Sequence, residues 1–201
     1  MPKQKITKKM ILDAAFTLLR TQGYESLNAR NIASQTGCSV QPIYSCYSNM
    51  SELMEELFLY TQQYLTAYIE KNADKNYYFA SIGRCHIGFA REEKHLFCFL
   101  FLSKYMHVNS LEDIYRQCAR QDVAKDIMKT LSISDASAKQ LYLHMMLYTH
   151  GIASMIAAGA ADIPDEEIHR LVNSAFHAFL KQAKEPVGVK DLSGIKEAQI
   201  R

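Results

Sequence analysis

Residues 28–47 read NARNIASQTGCSVQPIYSCY, and their pattern indicates how the amino-terminal part of the chain folds. Asn28 is a suitable N-cap for a short helix, because its side chain can accept a hydrogen bond from a free backbone N–H group. That helix should end at Gly37, since glycine tolerates the left-handed backbone of a tight turn. Ser39 is then predicted to cap a second short helix that runs to Tyr47. Two short helices around such a turn indicate a helix-turn-helix, whose second helix lies in the major groove of DNA.

The side chains of the predicted second helix suit contact with duplex DNA. Gln41 can read adenine with two hydrogen bonds, and Val40 and Pro42 can contact a thymine methyl group. Pro42 is tolerated there, because a residue in the first helical turn has no intrahelical partner for its N–H group. Two tyrosines further on can donate their hydroxyls to phosphates, and Arg30 can reach a guanine or a phosphate. The predicted DNA contacts are Asn28, Arg30, Ser39, Val40, Gln41, Pro42, Tyr44 and Tyr47.

Helical periodicity extends along nearly the whole chain. Apolar residues recur three and four positions apart, no stretch alternates as a β-strand would, and only 8 glycines and 4 prolines occur. The predicted fold class is therefore all-α, with a three-helix, helix-turn-helix domain in residues 1–50 and a larger helical domain in residues 51–185. Residues 186–201 form a weakly patterned tail. The further helices are predicted at about 11–22, 51–72, 76–93, 95–105, 110–130 with a break near residue 120, 134–159 and 164–182.

Composition and charge narrow the function classes. The chain has 201 residues, 48% of them apolar and 22% charged, which is ordinary globular composition. It has neither an apolar stretch long enough to span a bilayer nor a signal peptide, so a cytoplasmic protein is expected. Residues 1–50 contain six basic and two acidic residues, a balance that suits a polyanionic partner. No CxxC motif or disulfide framework is indicated by the five cysteines, Cys38, Cys46, Cys85, Cys98 and Cys118.

The run ILDAAFTLLRTQGYESLNARNIASQTGCSVQPIYSCYSNMSELMEELF, which begins at Ile11, resembles the amino-terminal domain of the TetR/AcrR family of bacterial transcriptional regulators. The resemblance implies a homodimeric DNA-binding protein, usually a repressor, that releases its operator when a small molecule binds the carboxy-terminal domain. The departures from the family pattern concern residues that would contact DNA: Gln41, Pro42, Ser45 and Met50. The apolar skeleton is kept at Ile11–Ala15, Gly23-Tyr24, Arg30–Ala33, Gly37, Ile43-Tyr44 and Leu53.

The resemblance also implies an effector pocket and a two-fold interface in the larger domain. The pocket should take an apolar or aromatic ligand, and its candidate residues are Tyr64, Tyr68, His86, Phe89, Phe101, Tyr105, Met145 and Tyr148. A four-helix interface between two subunits would be built from the last two long helices, by Ile152, Met155, Ile156, Leu171, Ala175, Phe176 and Phe179. The long helix over residues 51–71 is expected to couple the pocket to the DNA-binding unit.

The sequence also bears on three other interpretations: an enzyme, a metal-sensing regulator and an interaction protein. An enzyme is not expected, because the sequence has no HExxH, GxSxG, GxGxxG or Walker motif, and no cofactor or bound metal is predicted. A metal-sensing regulator would use Cys85, His86 and Cys118. An all-helical dimeric interaction protein that has lost specific DNA binding remains the main alternative, because Met50 and the altered second helix remove residues that the family uses on DNA.

Overall fold

Ten α-helices and two short 3-10 helices form the part of the chain that the computed structural model describes, residues 6–118 and 121–184, and that part contains no strand. This confirms the all-α prediction. None of the helices in these two ranges is long and apolar enough to cross a membrane. The α-helices are α1 Lys8–Gln22, α2 Ala29–Thr36, α3 Gln41–Cys46, α4 Met50–Asn72, α5 Tyr78–Glu92, α6 Lys94–Phe101, α7 Leu111–Cys118, α8 Gln121–Leu131, α9 Asp135–Ala157 and α10 Asp165–Lys184. The predicted tail and the predicted break near residue 120 lie outside the described residues.

Side-chain caps fix where several helices begin. The side chain of Asn28 accepts a hydrogen bond from the third backbone N–H of α2, as predicted, and Ser134 does the same for α9. Helix α4 begins one residue earlier than the predicted Ser51, because Asn49 is its N-cap and accepts from the N–H of Glu52 at 3.0 Å. The Glu52 carboxylate accepts in turn from the N–H of Ser48 at 2.7 Å, and hydrogen bonding by Ser48 lowers the pKa of Glu52.

Helix α3 begins later than the sequence predicted. Ser39 is not its N-cap: Val40 holds that position, with a helical backbone of φ −68° and ψ −26°, and no side chain caps the helix. The carbonyl of Val40 accepts the first backbone hydrogen bond, from the N–H of Ile43 at 3.1 Å, so the helical turn closes on Val40 and not on Ser39. Pro42 is consequently the second helical residue rather than the third.

The apolar core continues from the helix-turn-helix into the rest of the chain. Its larger cluster joins buried residues of α1, α2 and α3, such as Ile11, Ile32 and Ile43, to Leu57 of α4 and Phe89 of α5. A second cluster lies between α8, α9 and α10. Residue 50, where the sequence predicts a domain boundary, is the first residue of α4, and the buried side chains of this helix belong to the same core as those of the helix-turn-helix.

Replacing Gly37 by alanine should lower the free energy of unfolding by about 1 kcal/mol. Gly37 has φ +70°, and an added Cβ would meet no atom within 4 Å, so the loss comes from backbone strain alone. Gly37→Asn is the matched control and should lose clearly less, because asparagine tolerates the left-handed region. Urea unfolding at equal protein concentration measures both, and equal losses in the two variants would contradict this account.

Candidate DNA-binding surface and internal cavity

The turn between α2 and α3 has the geometry of a helix-turn-helix. Gly37 adopts a left-handed conformation, and the N–H of Cys38 bonds to the carbonyl of Ala33 at 2.9 Å, which closes the end of α2. Ile32 on α2 and Ile43 on α3 are 0% and 1% exposed. Since both helices bury one face in the same core, the opposite face of α3 points to solvent.

The exposed face of α3 carries polar side chains with hydrogen-bonding ends. Gln41, Tyr44 and Ser45 are exposed on it, and Tyr44 keeps 52% of its surface accessible. Ser39, just before α3, and Arg30, in the first turn of α2, are exposed as well, whereas Val40 and Pro42 are half-buried. Asn28 is exposed as well, but its side-chain oxygen already accepts from the N–H of Asn31 at 2.9 Å. Seven of the eight predicted DNA contacts therefore have accessible surface.

The remaining predicted contact, Tyr47, does not lie on this surface. It is 2% exposed, and its hydroxyl is buried without a hydrogen-bond partner among the described residues. Tyr47 follows Ile43 by four positions and so lies on the buried side of the helix axis. Its ring lies under the Lys8 ammonium, 4.6 Å from the ring centroid, and burial raises the pKa of the phenol. The predicted phosphate contact by Tyr47 is therefore wrong.

Basic residues of α1 are paired with acids of the same chain. Lys8 forms an ion pair with Glu56 of α4 at 2.6 Å, and this contact raises the pKa of Lys8. Lys9 pairs with Asp13 one turn along, at 3.3 Å. Acidic residues of the same chain thus neutralise part of the positive charge of the amino-terminal region.

Glu93, between α5 and α6, is a buried acid that accepts hydrogen bonds from two other helices. Its carboxylate is 7% exposed and accepts hydrogen bonds from the guanidinium of Arg20 on α1, one of them from Nε at 2.8 Å. The hydroxyl of Tyr64 on α4 donates to the same carboxylate at 2.7 Å. The Arg20 guanidinium also lies 5.5 Å from the centre of the Tyr64 ring. We call Arg20, Tyr64 and Glu93 the carboxylate cluster; it joins three separate helical regions.

Helix α4 contacts α1 through further groups on the same face. The hydroxyl of Tyr60 donates to Asp13 at 3.3 Å. The Phe16 ring packs edge-on against Tyr60, with ring centroids 5.1 Å apart, and at 5.2 Å from Tyr64. The tyrosines at 60 and 64 are one turn apart, so they present a continuous stripe to α1.

The adjacent face of α4 lines a large cavity. The cavity has a volume of about 830 Å³, within the range of small-molecule sites. Residues 58, 62, 65 and 69 of α4 follow helical spacing and face it together, while α5, α6, α7, α9 and α10 provide the other walls. Its lining is mostly aromatic and aliphatic, with uncharged polar groups at Gln62, Thr66, Gln117, Thr149 and Asn173 and histidines at His86, His150 and His177.

Three of the eight predicted ligand residues line this cavity: His86, Phe101 and Met145. The other five pack elsewhere, which corrects the prediction. Tyr64 and Tyr68 lie on the face of α4 that packs against Phe89, with ring centroids 6.4 and 5.2 Å from it. The Tyr105 ring packs on Phe99 and the Tyr148 ring on Phe179, with centroid separations of 5.4 and 6.3 Å. Sequence analysis missed the stripe Phe58, Gln62, Leu65 and Ile69, although its spacing is equally helical.

Two histidines from different helices meet at the cavity wall. Nε2 of His86 on α5 and Nδ1 of His150 on α9 are 3.2 Å apart, and Nε2 of His150 is 3.3 Å from the hydroxyl of Ser154. Burial, followed by the neighbouring His150, lowers the pKa of His86 to about 3, and burial also lowers that of His150. In the described residues, no three His, Cys, Asp or Glu side chains come together as metal ligands, so nothing here favours the metal-sensor interpretation.

The predicted interface residues fall into two groups. Ile152 is 5% exposed and belongs to the core of its own chain, which corrects its assignment to a subunit interface. Met155 is 45% exposed, Leu171 is half-buried, and Ile156 is half-buried beside the larger core cluster. Ala175, Phe176 and Phe179 pack in part against the second core cluster, and Phe176 also lines the cavity. A two-fold interface through the six residues other than Ile152 stays a prediction.

Comparison with known proteins points to one family. Residues 11–57 match the family described as bacterial regulatory proteins, tetR family. A nicotine-responsive transcriptional repressor of the helix-turn-helix type, HdnoR from Paenarthrobacter nicotinovorans, is 35% identical over 48 residues. That match covers 24% of this chain and 25% of the relative, so the chain spans about a quarter of the length of the repressor it matches.

Solved structures extend the likeness of the fold to most of the chain. A transcriptional regulator from Rhodococcus sp. Rha1 superposes with a TM-score of 0.63 at 16% identity, covering 88% of this chain and 97% of that one. A TetR-family transcriptional regulator from Haemophilus influenzae RD gives a TM-score of 0.58 at 15% identity, covering 85% and 94%. The described part of the chain is thus all-helical, with an amino-terminal helix-turn-helix. Its residues 11–57 are similar to the tetR family of bacterial regulatory proteins.

Arg20→Gln should lower the free energy of unfolding by about 2 kcal/mol, because it leaves the buried Glu93 carboxylate with fewer donors. The loss is smaller than for a fully buried pair, since the Arg20 side chain is 49% exposed. Lys9→Gln is the matched control: it removes an exposed pair within α1 and should change stability by no more than about 0.5 kcal/mol.

Combining Arg20→Gln with Glu93→Gln completes a double-mutant cycle by chemical denaturation. The double variant should lose at least about 1 kcal/mol less than the sum of the single losses, since the two groups interact directly. Additive losses would show that the ion pair does not hold α1 on the rest of the chain.

Proposed function

We propose that this protein is a cytoplasmic bacterial transcription regulator that binds operator DNA as a homodimer and releases it when a small molecule occupies the cavity between α4, α5, α9 and α10. The observation that carries the proposal is the exposed polar face of α3, held outward by the buried Ile32 and Ile43. Such a face matches the reading helix of a helix-turn-helix. The family match over residues 11–57 supports the same assignment.

In this proposal, Gln41 reads a base edge and Tyr44 donates to a phosphate. Arg30, at the start of α2, contacts a guanine or the backbone. Ser39, Val40 and Pro42 complete the surface, and Asn28 holds the start of α2. Two copies of this surface must reach successive major grooves about 34 Å apart, so the regulator has to be dimeric. Its two-fold interface would involve α9 and α10.

Helix α4 would transmit ligand binding to the helix-turn-helix. Its first turns pack in the core beside α1, and its later turns line the cavity. A ligand that favours a different position of α4 would change the separation of the two α3 helices. A coupling free energy of about 1–3 kcal/mol between the two sites would lower operator affinity by about 5- to 150-fold. We assign residues 1–50 to DNA binding and residues 51–185 to effector binding and dimerisation.

Arg30→Ala and Tyr44→Phe should each weaken binding to operator DNA by about 1–3 kcal/mol, because each removes a hydrogen bond to a base or a phosphate. Tyr47→Phe is the matched control: the hydroxyl it removes is buried and unpaired, so affinity should be unchanged. Fluorescence anisotropy with a duplex from upstream of the protein's own coding sequence measures all three, at several salt concentrations.

Wild-type affinity in both Arg30→Ala and Tyr44→Phe would contradict the contacts assigned to α2 and α3. A wild-type protein that fails to bind its upstream DNA more tightly than a scrambled duplex would favour the interaction protein without specific DNA binding.

A further inference from the structure

In the wall of the 830 Å³ cavity, the ring of His86 on α5 contacts the ring of His150 on α9 through a hydrogen bond between their nitrogens. We call these two residues the His86–His150 pair. The rings are set among aromatic side chains, with Phe101 at centroid distances of 4.9 and 5.8 Å from His86 and His150. Phe97 lies 5.2 Å from His86 and 5.7 Å from His150. This packing fixes the orientation of both rings.

Hydrogen bonding within the pair leaves one ring nitrogen of His86 for a ligand. Nε2 is engaged with His150, and Nδ1 makes no hydrogen bond to any residue of the described ranges. When His86 donates to His150, Nδ1 of His86 is an acceptor; when His150 donates, Nδ1 carries the proton and is a donor. The Ser154 hydroxyl at the far end can donate or accept, so both arrangements stay satisfied. The pair can therefore engage either a hydroxyl or a carbonyl oxygen.

The surroundings of the His86–His150 pair disfavour a charged ligand. Every described residue that lines the cavity is uncharged or a histidine, and burial keeps His86 neutral at pH 7 because its pKa is lowered to about 3. A carboxylate or an ammonium would leave water without a counter-charge from these walls, which is strongly unfavourable. An apolar ring system would instead replace water against aromatic and aliphatic side chains.

We propose that the cavity binds a neutral, largely aromatic ligand through a single hydroxyl or carbonyl group that hydrogen-bonds to the His86–His150 pair. This inference rests on the proposed function, because it names the chemical class of the effector. It goes beyond an apolar pocket by assigning the polar contact to two residues and by excluding charged ligands of the same shape.

Displacement of the neutral fluorophore N-phenyl-1-naphthylamine from the full chain, without DNA, tests the proposal at pH 7. The probes are 2-naphthol, its isostere 2-methylnaphthalene, the anion 2-naphthoate and the cation 1-naphthylmethylammonium. In the wild type, 2-naphthol should bind at least tenfold more tightly than either ion. Equal or tighter binding of an ion would overturn the proposal, and this arm needs no variant.

The hydrogen bond is tested by the ratio of the dissociation constants of 2-methylnaphthalene and 2-naphthol. This ratio should fall three- to tenfold in His86→Phe, since phenylalanine keeps the ring but removes the nitrogen. His150→Phe, which removes the partner of His86, is the second variant and should lower the ratio in the same direction. His107→Phe, at an exposed position outside the cavity, is the control and should leave it unchanged. An unchanged ratio in both cavity variants would overturn the assignment.

These readouts are independent of DNA. Failure of 2-naphthol to bind, with operator binding intact, would reject the ligand class and leave the regulator function standing. Selective binding of 2-naphthol by a chain that does not bind operator DNA would reject the regulator function and leave the ligand class standing.

Discussion

The buried carboxylate of Glu93 constrains how the helix-turn-helix is held on the rest of the molecule. A carboxylate that is 7% exposed needs hydrogen-bond donors, and its donors come from α1 through Arg20 and from α4 through Tyr64. Because Glu93 itself lies where α5 ends and α6 begins, a shift of any one of these helices separates a buried charge from a partner. The position of α1, against which α2 and α3 pack, is therefore tied to the helices around the cavity.

Helix α4 links the carboxylate cluster to the cavity, because its two faces contact different parts of the molecule. The stripe of Tyr60 and Tyr64 contacts α1 and the carboxylate cluster. The stripe that contains Phe58, Leu65 and Ile69 forms a wall of the cavity. A ligand that moves the second stripe must also move the first, since both belong to one rigid helix. Coupling between the two regions thus needs no flexible connection, because one helix is part of the core beneath the helix-turn-helix and also a wall of the cavity.

The sequence predicted the motif well because its signals are local. Gly37 in the turn, Asn28 at the cap and the buried Ile32 and Ile43 can all be read from spacing alone. The distinction between Tyr44 and Tyr47 was also available, since Tyr47 follows Ile43 by one helical turn and so shares its buried face. The sequence does not show which face of α4 packs against α1, because tyrosine, phenylalanine and aliphatic residues occur around the whole circumference of the helix. Only the tertiary packing decides which of them contact α1. His86 and His150 are 64 positions apart in the sequence, so no local pattern predicts that they meet.

The same packing changes what the charge of the amino-terminal region can do. Residues 1–50 contain six basic residues, but Lys8, Lys9 and Arg20 are paired with Glu56, Asp13 and Glu93. Within the described chain these cations hold α1 against α4 and the body, or stabilise α1 itself. Arg30, in the first turn of α2, has no ion pair among the described residues. Attraction between a paired cation and a phosphate has to compete with its existing partner. The DNA recognition we propose for α3 therefore depends more on the hydrogen-bonding ends of Gln41 and Tyr44, and on the fit of the helix in the groove, than the net charge of this region suggests.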